Sequence, residues 1–293
     1  MGKDYKQIVI LSGKGGTGKT TFSGAFASLI NKKIVIDCDV DAANLHLILK
    51  PKIINRYDFS GGKKALIDNF NCQQCGLCES ICRFDAIHNY EIDQLSCEGC
   101  GFCFRICPYN AIKFGSSQSG HLFECVLEDE SKFYYAKLFP GEGNSGKLVS
   151  EIKRKALENI SGEIKWVIVD GPPGIGCPVN ASIAGADYVV IVTEPTVSGI
   201  HDLKRLLQLL NTFKIKAGVI INKNDLNKSI SDQIYEYAEI HNIPVIGTIP
   251  YNPDFVKALI NGANIVESNN KVREEISDIL IGLEQEVNKT INY

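Results

Sequence analysis

The feature that most constrains this chain is a glycine-rich segment at residues 13–20, which reads GKGGTGKT. It follows the apolar run 8–11 and leads into a segment, 20–30, whose pattern is typical of a helix. The spacing matches G-x-x-x-x-G-K-S/T, a loop in which backbone N–H groups and a helix N-terminus surround phosphate oxygens. We therefore predict a nucleotide-phosphate site; the alternative is a glycine-rich turn that binds no ligand.

Two side chains of this loop have distinct expected roles. Lys19 would neutralise the β- and γ-phosphates, and the Thr20 hydroxyl would coordinate Mg²⁺. The residues that we expect to contact the nucleotide are those of the loop and the first helical turn: Gly13, Gly15, Gly16, Thr17, Gly18, Lys19, Thr20 and Thr21.

The composition argues against several classes of protein. A net charge of −3 and a pI of about 6.0 disfavour a broad nucleic-acid interface. No run of about 18 apolar residues is present, so we expect no membrane span. The first strand begins so close to the N-terminus that a secretory signal is not expected, and we predict a cytoplasmic protein.

Acidic residues lie at the ends of two further predicted strands. The run 33–37 leads into Asp37, Asp39 and Asp41, and the buried-strand pattern 164–170 ends in Asp170. Strands alternating with helices predict an α/β fold, with a mostly parallel sheet and helices on both faces. Because ligands bind at the carboxyl ends of such strands, these carboxylates are well placed for Mg²⁺ and for an attacking water.

A second lysine, Lys14, gives the loop the form K-G-G-x-x-G-K-T, which resembles the deviant P-loop of the MinD/ParA/nitrogenase-iron-protein family of ATPases. The resemblance implies that Lys14 reaches the partner's phosphates across an ATP-bound homodimer; the alternative is a lysine on a solvated loop. It also implies that Asp39, followed by Asn44, polarises the attacking water. We therefore expect Lys14, Lys19 and Asp39 to be catalytic, with Asp37 and Asp170 supporting Mg²⁺.

The segment 222–225 bears on the identity of the base. It reads NKND and fits the N-K-x-D motif of GTPases, which taken alone indicates guanine. In the family that the P-loop resembles, however, the asparagine at this strand end reads adenine. We therefore expect Asn222 to bind adenine and the nucleotide to be ATP rather than GTP, with Pro250 packing near the base.

The cysteines form the second strong signal. The chain has 11, and eight of them lie in two tetrads spaced C-x2-C-x2-C-x3-C, the second 25 residues after the first. This duplication is typical of two-cluster bacterial ferredoxins, in which the fourth cysteine of each tetrad binds the other cluster. Zinc is the alternative, because C-x2-C pairs also form zinc ribbons. The predicted ligands are Cys72, Cys75, Cys78 and Cys107 for one [4Fe-4S] cluster, and Cys82, Cys97, Cys100 and Cys103 for the other.

Two residues depart from the simplest pattern. Arg83 stands where the first tetrad would have proline, and a positive charge there would raise the potential of a nearby cluster. Cys177 resembles a cysteine with which the nitrogenase iron protein bridges a cluster across its dimer, but residues 140–147 offer no second cysteine for such a bridge. An ordinary thiol or a reactive thiol at a helix start are the alternatives for Cys177.

The resemblance extends over nearly the entire chain. Residues 1–68 and 115–293 resemble one discontinuous MinD/ParA-type ATPase domain, and residues 69–114 resemble an inserted α+β ferredoxin domain with two [4Fe-4S] clusters. Within this plan Gly61-Gly62 predicts a turn, and residues 271–287 predict a helix with one apolar face. The opposite face of that helix is acidic, so we expect it to dock on the protein and not on a membrane.

Two classes of function follow from this combination. The first is a Mg²⁺-dependent ATPase whose nucleotide state controls electron transfer through the two clusters to a redox partner protein. The alternative is a carrier or scaffold that assembles iron–sulfur clusters or delivers them to partner proteins. The x2-x2-x3 ligation favours stable electron-transfer clusters, because a transferable cluster needs few, exposed thiols. A ferredoxin segment retained only for structure is the third reading.

Overall fold

The computed structural model describes residues 3–158, 160 and 162–291. The chain divides into two compact units. The first comprises Met1–Arg56, Leu122–Lys137 and Ser145–Tyr293, and the second comprises Tyr57–His121 and Leu138–Asn144. The second unit contains the predicted insert 69–114, and the assignment of that insert as a ferredoxin domain stays a prediction.

Nine strands form the main sheet, and most of them pair in parallel. In chain order they are β1 (Lys6–Ser12), β2 (Lys33–Asp37), β3 (Lys52–Ile67), β6 (Ile112–Val126), β7 (Lys132–Leu138), β8 (Trp166–Pro173), β9 (Tyr188–Thr193), β10 (Ala217–Asn222) and β11 (Val245–Ile249). Across the sheet the order is β11-β10-β9-β1-β8-β2-β7-β6-β3. The predicted α/β fold with a mostly parallel sheet is confirmed.

Helices connect and cover these strands. In chain order they are α1 (Lys19–Leu29), α2 (Leu45–Leu49), α5 (Ser145–Leu157), α6 (Cys177–Ile183), α7 (Val197–Thr212), α8 (Lys228–Ile240), α9 (Asp254–Ile260), α10 (Ile265–Ser268) and α11 (Asn270–Ile291), with α3 (Leu77–Ser80) and α4 (Phe102–Ile106) in the second unit. No helix among the described residues is long and apolar enough to cross a bilayer.

The strand register brings the predicted carboxylates together. β8 lies between β1 and β2, and Asp170 of β8 is level with Asp37 of β2 and with Ile10 of β1. The central strands are fully buried, because their near-continuous apolar runs are covered on both faces, as in other parallel sheets. The carboxyl ends of the three strands therefore present Asp37 and Asp170 beside the loop that follows β1.

The C-terminal helix packs on this core through one face, as the sequence predicts. The six apolar side chains of this face are buried: Val272, Ile276, Ile279, Leu280, Leu283 and Val287. Ile279 lies so close to Gly247 of β11 that a Cβ at that glycine would stand 2.3 Å from its Cγ1. The helix therefore closes one edge of the sheet by direct contact.

The second unit is internally duplicated in its backbone as well as its sequence. Its short helices α3 (Leu77–Ser80) and α4 (Phe102–Ile106) each follow a left-handed glycine, Gly76 at φ 77° and Gly101 at φ 78°. The second unit also contains a short antiparallel hairpin of two-residue strands, β4 (Ile87–His88) and β5 (Glu91–Ile92). The two halves thus repeat the same local geometry 25 residues apart.

One sequence prediction about this region is wrong. No turn forms at Gly61-Gly62, because β3 continues through both residues as an extended strand. The Gly61 backbone N–H donates to Ser119 Oγ at 3.2 Å, a contact with a residue far along the chain. Partners in β6 thus hold extended a segment whose local composition favours a turn.

Candidate functional site

The glycine-rich loop lies between β1 and α1, and two of its glycines are required by conformation. Gly16 has φ 82°, and Gly18, the residue that caps α1, has φ 100°. A Cβ at Gly18 would also stand 2.4 Å from Asn222 Nδ2. The left-handed backbone favours glycine at both positions, since L side chains clash there. The expected loop geometry ahead of a helix is therefore present.

Lys19 lies at the centre of the charged groups that the sequence singled out. Its Nζ is 2.9 Å from Asp170 Oδ1 and 3.9 Å from Asp39 Oδ2, and the residue is 6% exposed. Burial acts to lower the pKa of Lys19, but the charges of Asp170, Asp37 and Asp39 outweigh it and the pKa is raised. The ammonium is therefore held charged at the head of α1.

Asp170 is fully buried and is held by three donors from α1. Besides Lys19, Thr20 Oγ1 donates to Asp170 Oδ2 at 3.0 Å, and Ser23 Oγ donates to Oδ1 at 2.7 Å. The sequence analysis missed Ser23. Its position four residues after Lys19, one helical turn along the same face, is the signal that would have identified it.

Asp37 organises the turn after β2. Its two carboxylate oxygens accept the backbone N–H groups of Asp39, at 3.0 Å, and Leu45, at 3.2 Å. Burial and the nearby Asp170 carboxylate raise the pKa of Asp37 to about 8, although Lys19 acts to lower it. Asp37 therefore fixes the backbone that presents Asp39, and its role toward Mg²⁺ stays a prediction.

Of the three carboxylates Asp37, Asp39 and Asp170, Asp39 is the one that reaches solvent. Its side chain is 13% exposed and faces the Lys19 ammonium. Burial raises the pKa of Asp39, while Lys19 partly counteracts the rise. A partly exposed carboxylate beside the lysine that is predicted to bind phosphate can accept a hydrogen bond from a water molecule, as the predicted role of Asp39 requires.

Lys14 bonds within its own chain. Its Nζ lies 2.8 Å from Glu194 Oε1 and donates to Thr196 Oγ1 at 3.1 Å and Ser198 Oγ at 3.0 Å. The other oxygen of Glu194 pairs with Lys223 Nζ at 2.9 Å. Glu194, which the sequence analysis did not single out, thus joins the P-loop to the N-K-x-D segment. These contacts do not test the prediction that Lys14 acts across a dimer.

The N-K-x-D segment supports the P-loop directly. Asn222 Nδ2 donates to the Thr17 carbonyl oxygen at 2.8 Å, and Asn222 Oδ1 accepts the Lys223 backbone N–H at 3.0 Å. Asp225 Oδ1 accepts the Tyr251 backbone N–H at 2.6 Å, just after the exposed Pro250. The structure therefore brings the predicted base-reading residues to the same end of the sheet as the loop.

Two buried polar atoms of this region have no hydrogen-bond partner within the described residues. They are Thr17 Oγ1 and Asn224 Oδ1. A buried polar atom without a partner costs about 1–3 kcal/mol, so such atoms fit a site that receives a polar ligand. The residues around the loop therefore fit a nucleotide.

The thiols of the second unit line two cavities, and each cavity takes one predicted set of four. The larger, cavity A, has a volume of about 370 Å³ and includes in its wall Cys82, Cys97, Cys100 and Cys103. The smaller, cavity B, has a volume of about 20 Å³ and includes in its wall Cys72, Cys75, Cys78 and Cys107. The fourth cysteine of each tetrad thus lies with the first three of the other.

The electrostatic contacts follow this grouping only in part. Burial raises the pKa of Cys78, and the thiols of Cys72 and Cys107 add to the rise. Burial likewise raises the pKa of Cys103, to which Cys97 and Cys100 of its own set and Cys78 of the other set contribute. The backbone also repeats, because the Ala86 N–H donates to Cys82 Sγ and the Ala111 N–H to Cys107 Sγ, both at 3.4 Å. Such amide–sulfur bonds are a common means of stabilising ligating thiolates.

A site for a single metal ion differs from a site for an iron–sulfur cluster. Across residues 3–158, 160 and 162–291, no group of three or more His, Cys, Asp and Glu side chains is arranged to hold one metal ion. A cubane cluster makes a different demand, since each of its four irons takes one thiolate and the sulfurs need not converge on a point.

Cys177 is the first residue of α6 and is exposed. A Cβ at Gly146 would stand 3.4 Å from the Cys177 Cβ and backbone carbonyl carbon, so α5 starts beside it. Its predicted part in a bridging cluster, and its alternative as a reactive thiol, are not tested by this geometry.

Comparison with known proteins gives one family match and several relatives. The model of the CobQ/CobB/MinD/ParA nucleotide binding domain matches residues 8–265. An uncharacterized protein of Methanocaldococcus jannaschii is 34% identical over 278 residues, covering 93% of this chain and 94% of the relative. An uncharacterized ATP-binding protein of the same organism is 28% identical, covering 88% of this chain and 79% of the relative.

Solved structures share the fold at low identity. The septum site-determining protein MinD of Pyrococcus horikoshii, complexed with Mg-ADP, has a TM-score of 0.57 at 17% identity, and each chain is covered to 98%. An ATP complex of McdA from Cyanothece has a TM-score of 0.60 at 17% identity, with 97% of this chain and 98% of that chain covered. These likenesses support the same arrangement of sheet and helices.

Proposed function

The chain belongs to the CobQ/CobB/MinD/ParA family of nucleotide-binding domains, and from this premise we propose that it is an ATP-hydrolysing iron–sulfur protein. In this proposal Mg²⁺ and ATP bind at the P-loop, and two [4Fe-4S] clusters bind in the second unit. Nucleotide state then controls electron transfer from the clusters to a redox partner protein.

One observation carries the iron–sulfur half of the proposal. Each of the two cavities is lined by one complete set of four cysteines, and the sets are those that ferredoxin spacing predicts. A zinc ribbon draws its four thiolates from paired C-x2-C motifs and does not require the exchange of the fourth cysteine between tetrads. When bound, a [4Fe-4S] cluster supplies one-electron redox chemistry.

The residues around the P-loop support the nucleotide half. Lys19 carries its charge at the N-terminus of α1, where phosphate oxygens also receive the loop N–H groups. Thr20 and Asp170 are hydrogen-bonded to each other, and both offer oxygen ligands of the kind that Mg²⁺ prefers. Asp39, fixed through Asp37, would orient the attacking water toward the γ-phosphate.

Adenine is proposed over guanine because of the K-G-G-x-x-G-K-T form of the P-loop. In an N-K-x-D site the aspartate reads guanine; here one of the two carboxylate oxygens of Asp225, Oδ1, accepts the Tyr251 backbone N–H. Asn222 keeps one amide hydrogen for a purine ring nitrogen, which adenine and guanine share. ATP is therefore the proposed nucleotide, and the name of the ATP-binding Methanocaldococcus jannaschii relative agrees with it.

A homodimer is proposed for the ATP-bound protein. Lys14 lies on the P-loop, about one-third exposed, where it pairs with the Glu194 carboxylate at 2.8 Å and donates to the hydroxyls of Thr196 and Ser198. A triphosphate carries more negative charge than this single carboxylate, so it would compete with Glu194 for the ammonium. The Lys14 of each protomer would then act on the nucleotide of its partner.

The test of the proposed function is anaerobic purification followed by iron and sulfide counting and EPR, with and without ATP. The wild type should contain about eight irons per chain, four for each cluster. Cys100→Ala and Cys75→Ala should each remove about half of the iron, while Cys125→Ala, at a buried thiol that lines neither cavity, should remove none.

Other outcomes would overturn the proposal or part of it. Bound zinc in place of iron would refute the clusters, and ATP turnover at the same rate in Lys19→Ala would refute the nucleotide site. Spontaneous transfer of intact clusters to an apo-ferredoxin, with loss of iron from this chain, would favour the carrier function over redox control.

A further inference from the structure

The two cysteine cavities are built on nearly identical backbones, which makes their differences informative. Left-handed residues recur at matched positions: Gln74 at φ 53° and Gly99 at φ 62°, and Asp85 and Asn110 both at φ 51°. The apolar floor is also matched, since Ala86, Ile87, Ala111 and Ile112 are all buried. Within these matched stretches the two sites differ in their side chains, whereas beyond them the chain differs too, because residues 87–92 form a hairpin and Ile112 begins β6.

Formal charge is the principal difference. Cavity A is lined by Arg83 and Glu98, whereas cavity B has no charged side chain other than its thiols in its wall. The residue matched to Glu98 is Gln73, and the residue matched to Arg83 is Pro108. The wall of cavity A therefore carries one positive and one negative side chain that the wall of cavity B lacks.

The positive charge is the better fixed of the two. Arg83 directly follows the predicted ligand Cys82, and its guanidinium lies 4.7 Å from the ring centroid of Phe84, another residue of the cavity wall. Arg83 and Glu98 are both exposed, so water screens both charges, but Glu98 makes no hydrogen bond or ion pair within the described part of the chain. A guanidinium that lies against an aromatic ring keeps its position better than a carboxylate without a partner.

We propose that Arg83 raises the reduction potential of the cluster in cavity A above that of the cluster in cavity B. Reduction adds one negative charge to a cluster, so a fixed cation beside it favours the reduced form. An electron from a low-potential one-electron donor protein is then shared unequally. The cavity B site is oxidised by one electron, the cavity A site is reduced by one, and no proton or bond change is needed.

This inference rests on the proposed clusters and adds a direction to electron flow. Cavity A becomes the site at which the electron is held and from which it leaves to an acceptor. Phe102, a wall residue of cavity A that is 51% exposed, places an apolar surface beside that exit.

The test is an EPR-monitored redox titration of the anaerobic protein, with dithionite as reductant. Cys100→Ala and Cys75→Ala assign each potential to a cavity, because each variant should lose the signal of one cluster. The higher wild-type potential should disappear in Cys100→Ala. Arg83→Gln should lower that potential alone, by about tenfold in the reduction equilibrium constant or about 59 mV, and Arg83→Lys should restore most of it.

Two matched variants separate local charge from net charge. Glu98→Gln reproduces the residue of cavity B and should raise the cavity A potential by less than Arg83→Gln lowers it. Arg105→Gln removes the same charge from an exposed arginine of α4 that lines neither cavity, so the difference between the two potentials should not change.

The results that would refute the role of Arg83 differ from those that would refute the proposed clusters. Protein without iron would refute the clusters themselves. Two clusters with equal potentials, a higher potential in cavity B, or potentials unaffected by Arg83→Gln would refute the role of Arg83 and leave the clusters in place.

Discussion

Among the residues that the structure describes, the buried cation Lys153 has no carboxylate partner, and its removal should change how stability depends on pH. Its Nζ donates to carbonyl oxygens near the end of α6, those of Ala184 at 2.7 Å, Ala181 at 3.3 Å and Ser182. Burial lowers the pKa of Lys153 from its ordinary 10.5 to about 8, Lys3 adds slightly to the fall, and the thiol of Cys38 opposes it.

The sign of the effect follows from proton linkage. Below pH 8 the lysine is charged in both the folded and the unfolded chain, and the folded state bears the full cost of burying that charge. Between pH 8 and 10.5 the unfolded chain binds more protons than the folded one, so stability rises with pH. At about 1.4 kcal/mol per pH unit, this shift corresponds to about 3 kcal/mol.

Lys153→Met is the variant that isolates this contribution. Methionine fills a similar volume without a charge, although it leaves the α6 carbonyl oxygens without their donor. Urea unfolding of both proteins at pH 7.5, 8.5, 9.5 and 10.5 gives the difference in unfolding free energy at each pH. That difference should move in favour of the wild type by about 3 kcal/mol across the series.

Measuring the difference removes other groups that titrate in this range. Burial also raises the pKa of Cys38 and of Tyr188. Those groups favour the folded state less as pH rises, but they are present in both proteins. A difference that stays constant from pH 7.5 to 10.5 would show that Lys153 is not buried as a cation.

Three further predictions concern the nucleotide site and one helix. Lys19→Ala should weaken ATP binding, measured by equilibrium dialysis, while Asp39→Ala should keep binding and slow hydrolysis, because orienting the water affects only the chemical step; equal turnover by both variants and the wild type would contradict the site. In an Asp39→Ala background, ATP should double the mass seen by light scattering, and adding Lys14→Ala should leave a monomer; one mass under every nucleotide condition would exclude the dimer. Asn227→Ala should destabilise the protein by about 1 kcal/mol in urea, because Asn227 Oδ1 caps α8 by accepting the Ile230 N–H at 3.2 Å, and Asn227→Ser should recover most of the loss.

Much of the candidate site can be predicted from residues that lie close together in the chain. The spacing of Gly13 to Thr20 depends on a loop and one helical turn, and Gly16 and Gly18 have the positive φ that glycine alone adopts readily. The cysteine tetrads are local in the same way: the repeat in the chain predicts that their fourth cysteines are exchanged, and each fourth cysteine lines the cavity of the other tetrad. That these thiols bind clusters stays a prediction.

Other parts depend on pairing between distant segments. Whether Gly61-Gly62 turns or extends is decided by partners near Ser119, and local composition favours the wrong answer. Ser23 joins the Asp170 site only because β8 inserts between β1 and β2, which places its carboxylate beside α1.

The sequence by itself therefore determined the nucleotide-binding loop and the parallel α/β class and predicted the two sets of cysteine ligands, each through short-range spacing or hydrophobic pattern. Only the tertiary structure decided that Glu194 joins Lys14 to Lys223 and that Lys153 is buried among the carbonyls of α6. The physical reason is that an ion pair or a buried charge is set by distance in space and by dehydration. Neither quantity is encoded in the separation of residues along the chain.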